Sequence, residues 1–227
     1  MTTFKFSHVI SVKEEGSYPF NLRFGTSLKD PNLVNGPGIY IIALDDKPIY
    51  VGKHQPIGNS VFDRWLKSFE TLTFRGCRLG FGKRDKNAVM RAIEPNSKGL
   101  ANAMLAMPEE ELNKHFRDRG VNTSVNGTDW VARHWEEHFK NGNDVSVLSS
   151  LSFAYIKLTD CSAQEKGKEI ASALERKMFD TYDFEINFNS IGKVELNSLD
   201  DAIDKALTIA SKKWPDANAQ LTVKLTK

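Results

Sequence analysis

The sequence predicts an α+β fold: a small antiparallel or mixed sheet flanked by helices and interrupted by a helical insertion. Three observations predict it. Two short apolar runs flank a polar turn in "GPGIYIIALDDKPIYVGK", from Gly36 to Lys53, which is the pattern of a β-hairpin. Strand character then disappears from Thr71 to about Gly127, where Pro, acids and Gly mark short helices. It returns in "VSVLSSLSFAYIKL", a buried-strand pattern that leads into a long helical segment.

Each element follows from local chemistry. Residues 1–35 show weak periodicity and read as strand and loop. The hairpin strands are expected at 38–44 and 48–52. "SVFDRWLKSFE" is an amphipathic helix whose apolar face is Val61, Phe62, Trp65, Leu66 and Phe69, with Ser60 placed as its cap and Asp63 at the capping-box position. In the insertion, "PEEELNKHFRDRG" and "TDWVARHWEEHFKNG" each open on Pro or a capping Thr and stop at Gly. "SAQEKGKEIASALERKMFDTY" opens on a second capping box, Ser162 and Glu165, and runs on as the long helix. A last helix, "SLDDAIDKALTIASKKW", precedes a short strand, "AQLTVKL". The expected organisation is one domain over 1–227. Its core lies at about 36–70 and 145–192, with a helical insertion at 71–144 and a C-terminal helix and strand at 198–227.

Composition narrows the function. A chain of 227 residues, 40% hydrophobic and 26% charged, has the make-up of an ordinary globular protein. No run is long enough to cross a bilayer, and "MTTFKFSHVISVKEEG" lacks a signal-peptide core, so no membrane association is expected. Cys77 and Cys161 have no metal-binding spacing and read as idle thiols in a reducing compartment, which points to the cytoplasm. The net charge of +2 hides an asymmetry. Between Lys47 and Lys98 eleven Lys/Arg face four Asp/Glu, a local +7 that leaves −5 for the rest of the chain. Such a block is the footprint of a polyanion partner, or else a solvated basic face.

The hairpin carries a parity signal. Ile39, Ile41, Ile49 and Val51 occupy odd positions, whereas Tyr40 and Tyr50 are both even. A three-residue turn, Asp45, Asp46 and Lys47, would put the apolar set on one face and both tyrosines on the other, beside Gly52. A two-residue turn would split the tyrosines. Two charged residues also sit awkwardly. Arg64 lies at the margin of its helix's apolar face, and Glu175 has Ala171 and Phe179 one turn either side, with Leu174 and Met178 adjoining. They read either as a snorkelling arginine and a boundary glutamate, or as a site in which the carboxylate meets a cation or metal.

Taken in order, these residues resemble the GIY-YIG nuclease superfamily. "GIY" stands at Gly38–Tyr40, and "YVG" at Tyr50–Gly52 with valine in place of the usual isoleucine; nine residues separate the two tyrosines. Arg64 in "FDRW" matches the family arginine on the next helix. Glu175 matches the metal-binding glutamate, and Asn187 follows it at the family's twelve-residue interval. The resemblance covers roughly 36–70 and 150–190. One position departs: Ser68 stands where several members have histidine, and Lys53, directly after "YVG", is placed to take part of that role.

The resemblance implies hydrolysis of a phosphodiester. Glu175 would hold one Mg2+ or Mn2+ per active site, a normal arrangement for a hard cation completed by phosphate and water oxygens. Arg64 would brace a non-bridging oxygen. Tyr40 would take the proton of the attacking water, which its free pKa of about 10 permits only beside positive charge. Tyr50 would orient or share that proton, and Asn187 would fix the substrate backbone or the glutamate. The basic loop "FRGCRLGFGKRDK" lacks the phosphate-loop lysine pattern and reads as phosphate-contacting through Arg75, Arg78, Lys83 and Arg84, or as solvated surface. His134 and His138 are one turn apart, as two zinc ligands could be, but have no evident third ligand.

Three functions compete. The first is a magnesium-dependent, sequence-specific type II restriction endonuclease acting on double-stranded DNA. In the family, an insertion such as 71–144 accompanies that class, and a double-strand cutter of this size is expected to be a homodimer or higher assembly. The second is a repair, recombination or mobile-element endonuclease. The third, a catalytically idle nucleic-acid-binding module, would be expected to have lost Arg64 or Glu175, and both are present.

Overall fold

The computed structural model describes residues 2–5, 10–12, 22–24, 30–55, 60–65, 130, 134, 137, 150–159, 164–186 and 191–226. The chain forms two compact units, Met1–Val12 with Leu22–Trp65 and Ser149–Lys227, and Lys13–Asn21 with Leu66–Leu148. In the second unit Trp130 is buried, and the His134 ring lies 4.6 Å from it, centroid to centroid.

The first unit is an α+β fold. In chain order it contains β1 (Thr2–Lys5), β2 (Ile10–Val12), β3 (Leu22–Phe24), α1 (Pro31–Val34), β4 (Gly38–Leu44), β5 (Lys47–His54), β6 (Leu151–Leu158), α2 (Gln164–Thr181), α3 (Leu199–Lys213) and β7 (Ala219–Thr226). Five strands make the main sheet in the order β1-β7-β6-β4-β5, and β2 pairs with β3 separately. All neighbours in the main sheet are antiparallel except β1 and β7. β7 is therefore interior, and among the described strands β5 forms one edge and β1 the other.

The hairpin corrects the turn expected from the sequence. Its turn has two residues, not three: Leu44 pairs with Lys47, and Asp45 and Asp46 carry φ of 46° and 72°. Positive φ at both positions is the conformation of the tight hairpin turn that Asp tolerates. Alone this turn would set the tyrosines on opposite faces. A β-bulge prevents that. Ala43 pairs with Pro48 but Ile42 pairs with Tyr50, so Ile49 is an extra residue in β5 and restores the odd–even register. Asp46 secures the turn by accepting a hydrogen bond from Leu199 N at the start of α3 (3.2 Å).

Both faces of the sheet are buried, so the tyrosine face is a second packed layer and not an open one. On the odd face Ile39, Ile41, Val51, Ala154 and Ile156 pack against Leu174 and Met178 of α2 and Ile203 and Ala206 of α3. Each Ile, Val, Leu and Met of this set, removed from water, contributes about 1.5–3 kcal/mol before entropy is counted. On the even face Phe153 lies 5.9 Å from both Tyr40 and Phe62 and 6.4 Å from Trp65, centroid to centroid. Phe62 and Trp65 come from the helical turn at 62–65, which Ser60 caps through its Oγ on Phe62 N (3.2 Å). Leu66 and Phe69, expected on the same apolar face, and the capping Ser162 lie outside the described residues.

Gly52 has a packing role. It pairs with Tyr40, and a Cβ there would fall 2.5 Å from Tyr40 Cζ and 2.8 Å from Tyr50 Cε1. The space beside it, expected to admit a close approach, is taken by the Tyr40 ring. Gly38 is likewise closed, against the Ile156 carbonyl. Gly52→Ala should therefore cost about 1–3 kcal/mol in urea unfolding, the scale of overpacking. The cost should fall in a Tyr40→Ala background. An equal loss in both backgrounds would mean that the ring is not what excludes the side chain.

Candidate active site

The site forms where the two faces of the sheet meet round the edge strand. Lys53 belongs to the odd face of β5 and Tyr50 to the even one. α2 covers the odd side and brings Glu175; the turn 62–65 covers the even side and brings Arg64. A strand at the edge of a sheet has backbone groups that need partners. Here Lys53 N donates to Glu175 Oε1 at 3.0 Å, and Ile186 N donates to the carbonyl of the bulged Ile49 at 3.1 Å. The Lys53 ammonium stands 3.6 Å from Glu175 Oε2.

Tyr40 and Tyr50 lie side by side, with ring centroids 6.0 Å apart and a hydrogen bond between their hydroxyls. Burial is the main cause that pushes the Tyr50 phenol up. The Glu175 charge adds to it, while the bond to Tyr40 and the Arg64 charge pull the other way. Tyr50 therefore feels both Arg64 and Glu175, which come from opposite sides of the sheet. Tyr40 is only 5% exposed, while Tyr50 is more open. A cleft of about 520 Å³ runs past Tyr50, Lys53, Ser172, Glu175, Phe179 and Asp180.

Five of the six expected catalytic residues, Tyr40, Tyr50, Lys53, Arg64 and Glu175, are thus gathered in one place. Asn187, and the loop residues Arg75, Arg78, Lys83 and Arg84, lie outside the described residues, as do Ser68 and His138. Two members of the site were missed in the sequence. Gln55 Nε2 donates to Ser172 Oγ at 2.7 Å, and Lys53 Nζ donates to the same oxygen at 3.3 Å. The available signal was spacing: Gln55 follows Lys53 by two at the end of a strand, and Ser172 precedes Glu175 by three on a helix.

The Glu175 side chain is 24% exposed, and loss of water raises its pKa above the ordinary carboxylate value, with Lys53 opposing the shift by charge and by hydrogen bonds. Such a carboxylate is short of positive charge. One oxygen accepts from the Lys53 backbone, and the other is in a long ion pair with the Lys53 ammonium. Among the described residues no three His, Cys, Asp or Glu side chains cluster to hold a metal. The donor set fits a hard divalent cation that takes one carboxylate and keeps water and substrate oxygens.

A carboxyl whose folded pKa is raised stabilises the fold below its unfolded value and loses that contribution as pH rises through the folded value. With divalent cations chelated, Glu175→Gln should therefore gain thermal stability relative to wild type as pH rises from 4 to 7.5. Gln keeps an acceptor for Lys53 N. A difference that shrinks or reverses over that range would show that the carboxylate is well compensated.

No protein-family model matches the chain, and neither a curated protein nor a solved structure does.

Proposed function

We propose that the chain is a metal-dependent DNA endonuclease with a GIY-YIG-type core, acting as a sequence-specific type II restriction enzyme. One observation supports this reading above the others. Tyr40, Tyr50, Lys53, Arg64 and Glu175, far apart in sequence, are gathered round one edge strand with a half-buried carboxylate beside a cleft. Packing accounts for Gly38 and Gly52. It does not require a desolvated glutamate next to a bonded pair of tyrosines and an arginine, and such perturbed groups in a cleft are what catalysis uses.

Phosphodiester hydrolysis needs an activated water, stabilisation of charge on the phosphoryl oxygens and help for the leaving oxygen. The water's proton passes to Tyr40, directly or through Tyr50, which lines the cleft. Tyr50 is held in its protonated form by burial and by the Glu175 charge, so once Tyr40 has released its proton to solvent, Tyr50 can donate to the Tyr40 oxygen and itself take the proton of the attacking water. Arg64 presents its planar fork to a non-bridging oxygen. Glu175, with Oε1 fixed by Lys53 N, would hold one Mg2+ or Mn2+; when bound, the ion supplies positive charge against the phosphoryl oxygens. Lys53 adds a second fixed cation. Asn187 would fix the substrate backbone.

Double-stranded DNA is the proposed substrate, with the insertion 71–144 and its basic residues supplying recognition. One site cuts one strand, so the enzyme would work as a homodimer or higher assembly on a two-fold symmetric sequence. No helix among the described residues is long and apolar enough to cross a membrane. A cytoplasmic location is part of the proposal.

Two measurements test it. In single-turnover cleavage with magnesium, Glu175→Ala should abolish activity, and Tyr40→Phe should slow it by about 10²–10⁴-fold, the worth of positioned proton transfer. Both should keep most of their DNA affinity at fixed salt, since phosphate contacts from Lys and Arg dominate binding. Cleavage by Glu175→Ala at the wild-type rate would remove the metal assignment. Light scattering should report a dimer or larger species on DNA; a monomer both free and bound would refute the assembly.

A further inference from the structure

Lys53 meets Glu175 twice, and the two contacts are independent. The backbone bond to Oε1 at 3.0 Å would form with any residue at this position except proline. The ammonium forms a long ion pair with Oε2 at 3.6 Å and lies closer to Ser172 Oγ, to which it donates at 3.3 Å. That hydroxyl is held in turn. Gln55 Nε2 donates to it at 2.7 Å and also to the Lys168 carbonyl of α2 at 3.2 Å. A hydroxyl has two lone pairs, and the two donors fill them. The arrangement follows from the elements. Lys53 near the end of β5 and Gln55 just beyond it both reach α2, while Ser172 and Glu175 share one face of that helix.

We propose that Ser172 and Gln55 are positioning residues for a divalent-cation site: the Ser172 hydroxyl, held by Gln55, takes a hydrogen bond from the Lys53 ammonium and keeps the ammonium's ion pair with Glu175 Oε2 long, so that an ion can compete for that oxygen. The proposal rests on the endonuclease reading in one respect only, that Glu175 is the metal ligand. Two cations compete for one carboxylate in this cleft. The lysine is tethered and always at hand, so the ion binds well only if the ammonium has another acceptor. Ser172 is that acceptor, and Gln55 keeps it in place. Without the hydroxyl, the ammonium turns to the carboxylate, and the ion must displace it. Neither Ser172 nor Gln55 touches the ion or the substrate in this scheme; they act through Lys53.

The test is Mn2+ binding to the full chain by electron paramagnetic resonance, without DNA. Ser172→Ala and Gln55→Ala should each weaken binding by about three- to tenfold, the worth of one hydrogen bond. Ser172→Thr, which keeps the hydroxyl, should stay within about twofold of wild type by the same measure. In a Lys53→Met background Ser172→Ala should have no effect, because the competitor is gone. Alanine is a better helix former than serine, so the variant retains α2. Unchanged Mn2+ affinity in Ser172→Ala, or an equal loss with Lys53→Met, would overturn the positioning role. If the wild type binds no Mn2+, or Glu175→Gln binds it as tightly as wild type, the metal assignment itself fails and the positioning role falls with it.

Discussion

The open edge of β5 needs hydrogen-bond partners, and the candidate site is built from the groups that supply them. The Lys53 N–H takes a carboxylate from α2, and the Ile49 carbonyl takes the N–H of Ile186. In an interior strand both would face a neighbouring strand. Placing a carboxylate at this edge satisfies a donor, but it also draws the charge partly out of water, beside Tyr50, which in turn lies within the field of Arg64. The groups come from opposite faces of one sheet and meet round β5, beyond which no further strand lies among the described residues.

That meeting depends on register. A tight two-residue turn brings β4 and β5 together, and the extra residue Ile49 turns the outer part of the hairpin back into phase. The bulge keeps Ile39, Ile41 and Val51 in the core and both tyrosines on the other face. A one-residue slip would reverse every side chain of β5, sending Tyr50 toward α2 and Lys53 away from it. The glycines serve the same geometry. Gly52 leaves room for the Tyr40 ring, and Gly38 lets β4 lie against the β6 backbone.

Much of this was legible in the sequence because it is local. Strand parity located the two tyrosines on one face, and helix spacing showed Glu175 at the margin of an apolar stripe. The last helix and the final strand follow from periodicity and punctuation, and the buried-strand pattern at 145–158 contains the strand at 151–158. The turn was misread because parity alone cannot distinguish an odd turn from an even turn with a bulge; both give the same faces. Burial of the tyrosine face was not foreseen either. Its cover is Phe62 and Trp65 against Phe153, and Phe153 is about ninety residues away in the chain. Ser172 and Gln55 were missed for a related reason. Each is an unremarkable polar residue by itself, and only the placement of β5 against α2 makes them partners.

The central claim is that the groups gathered at this edge make a metal-dependent phosphodiesterase for DNA. The most direct measurement is incubation of the full chain with a supercoiled plasmid of known sequence, with magnesium and with chelator, followed by mapping of the ends. Linear product with ends at one recurring sequence is expected in magnesium, and intact plasmid in chelator. An intact plasmid in both magnesium and manganese, or equal cutting in chelator, would contradict it.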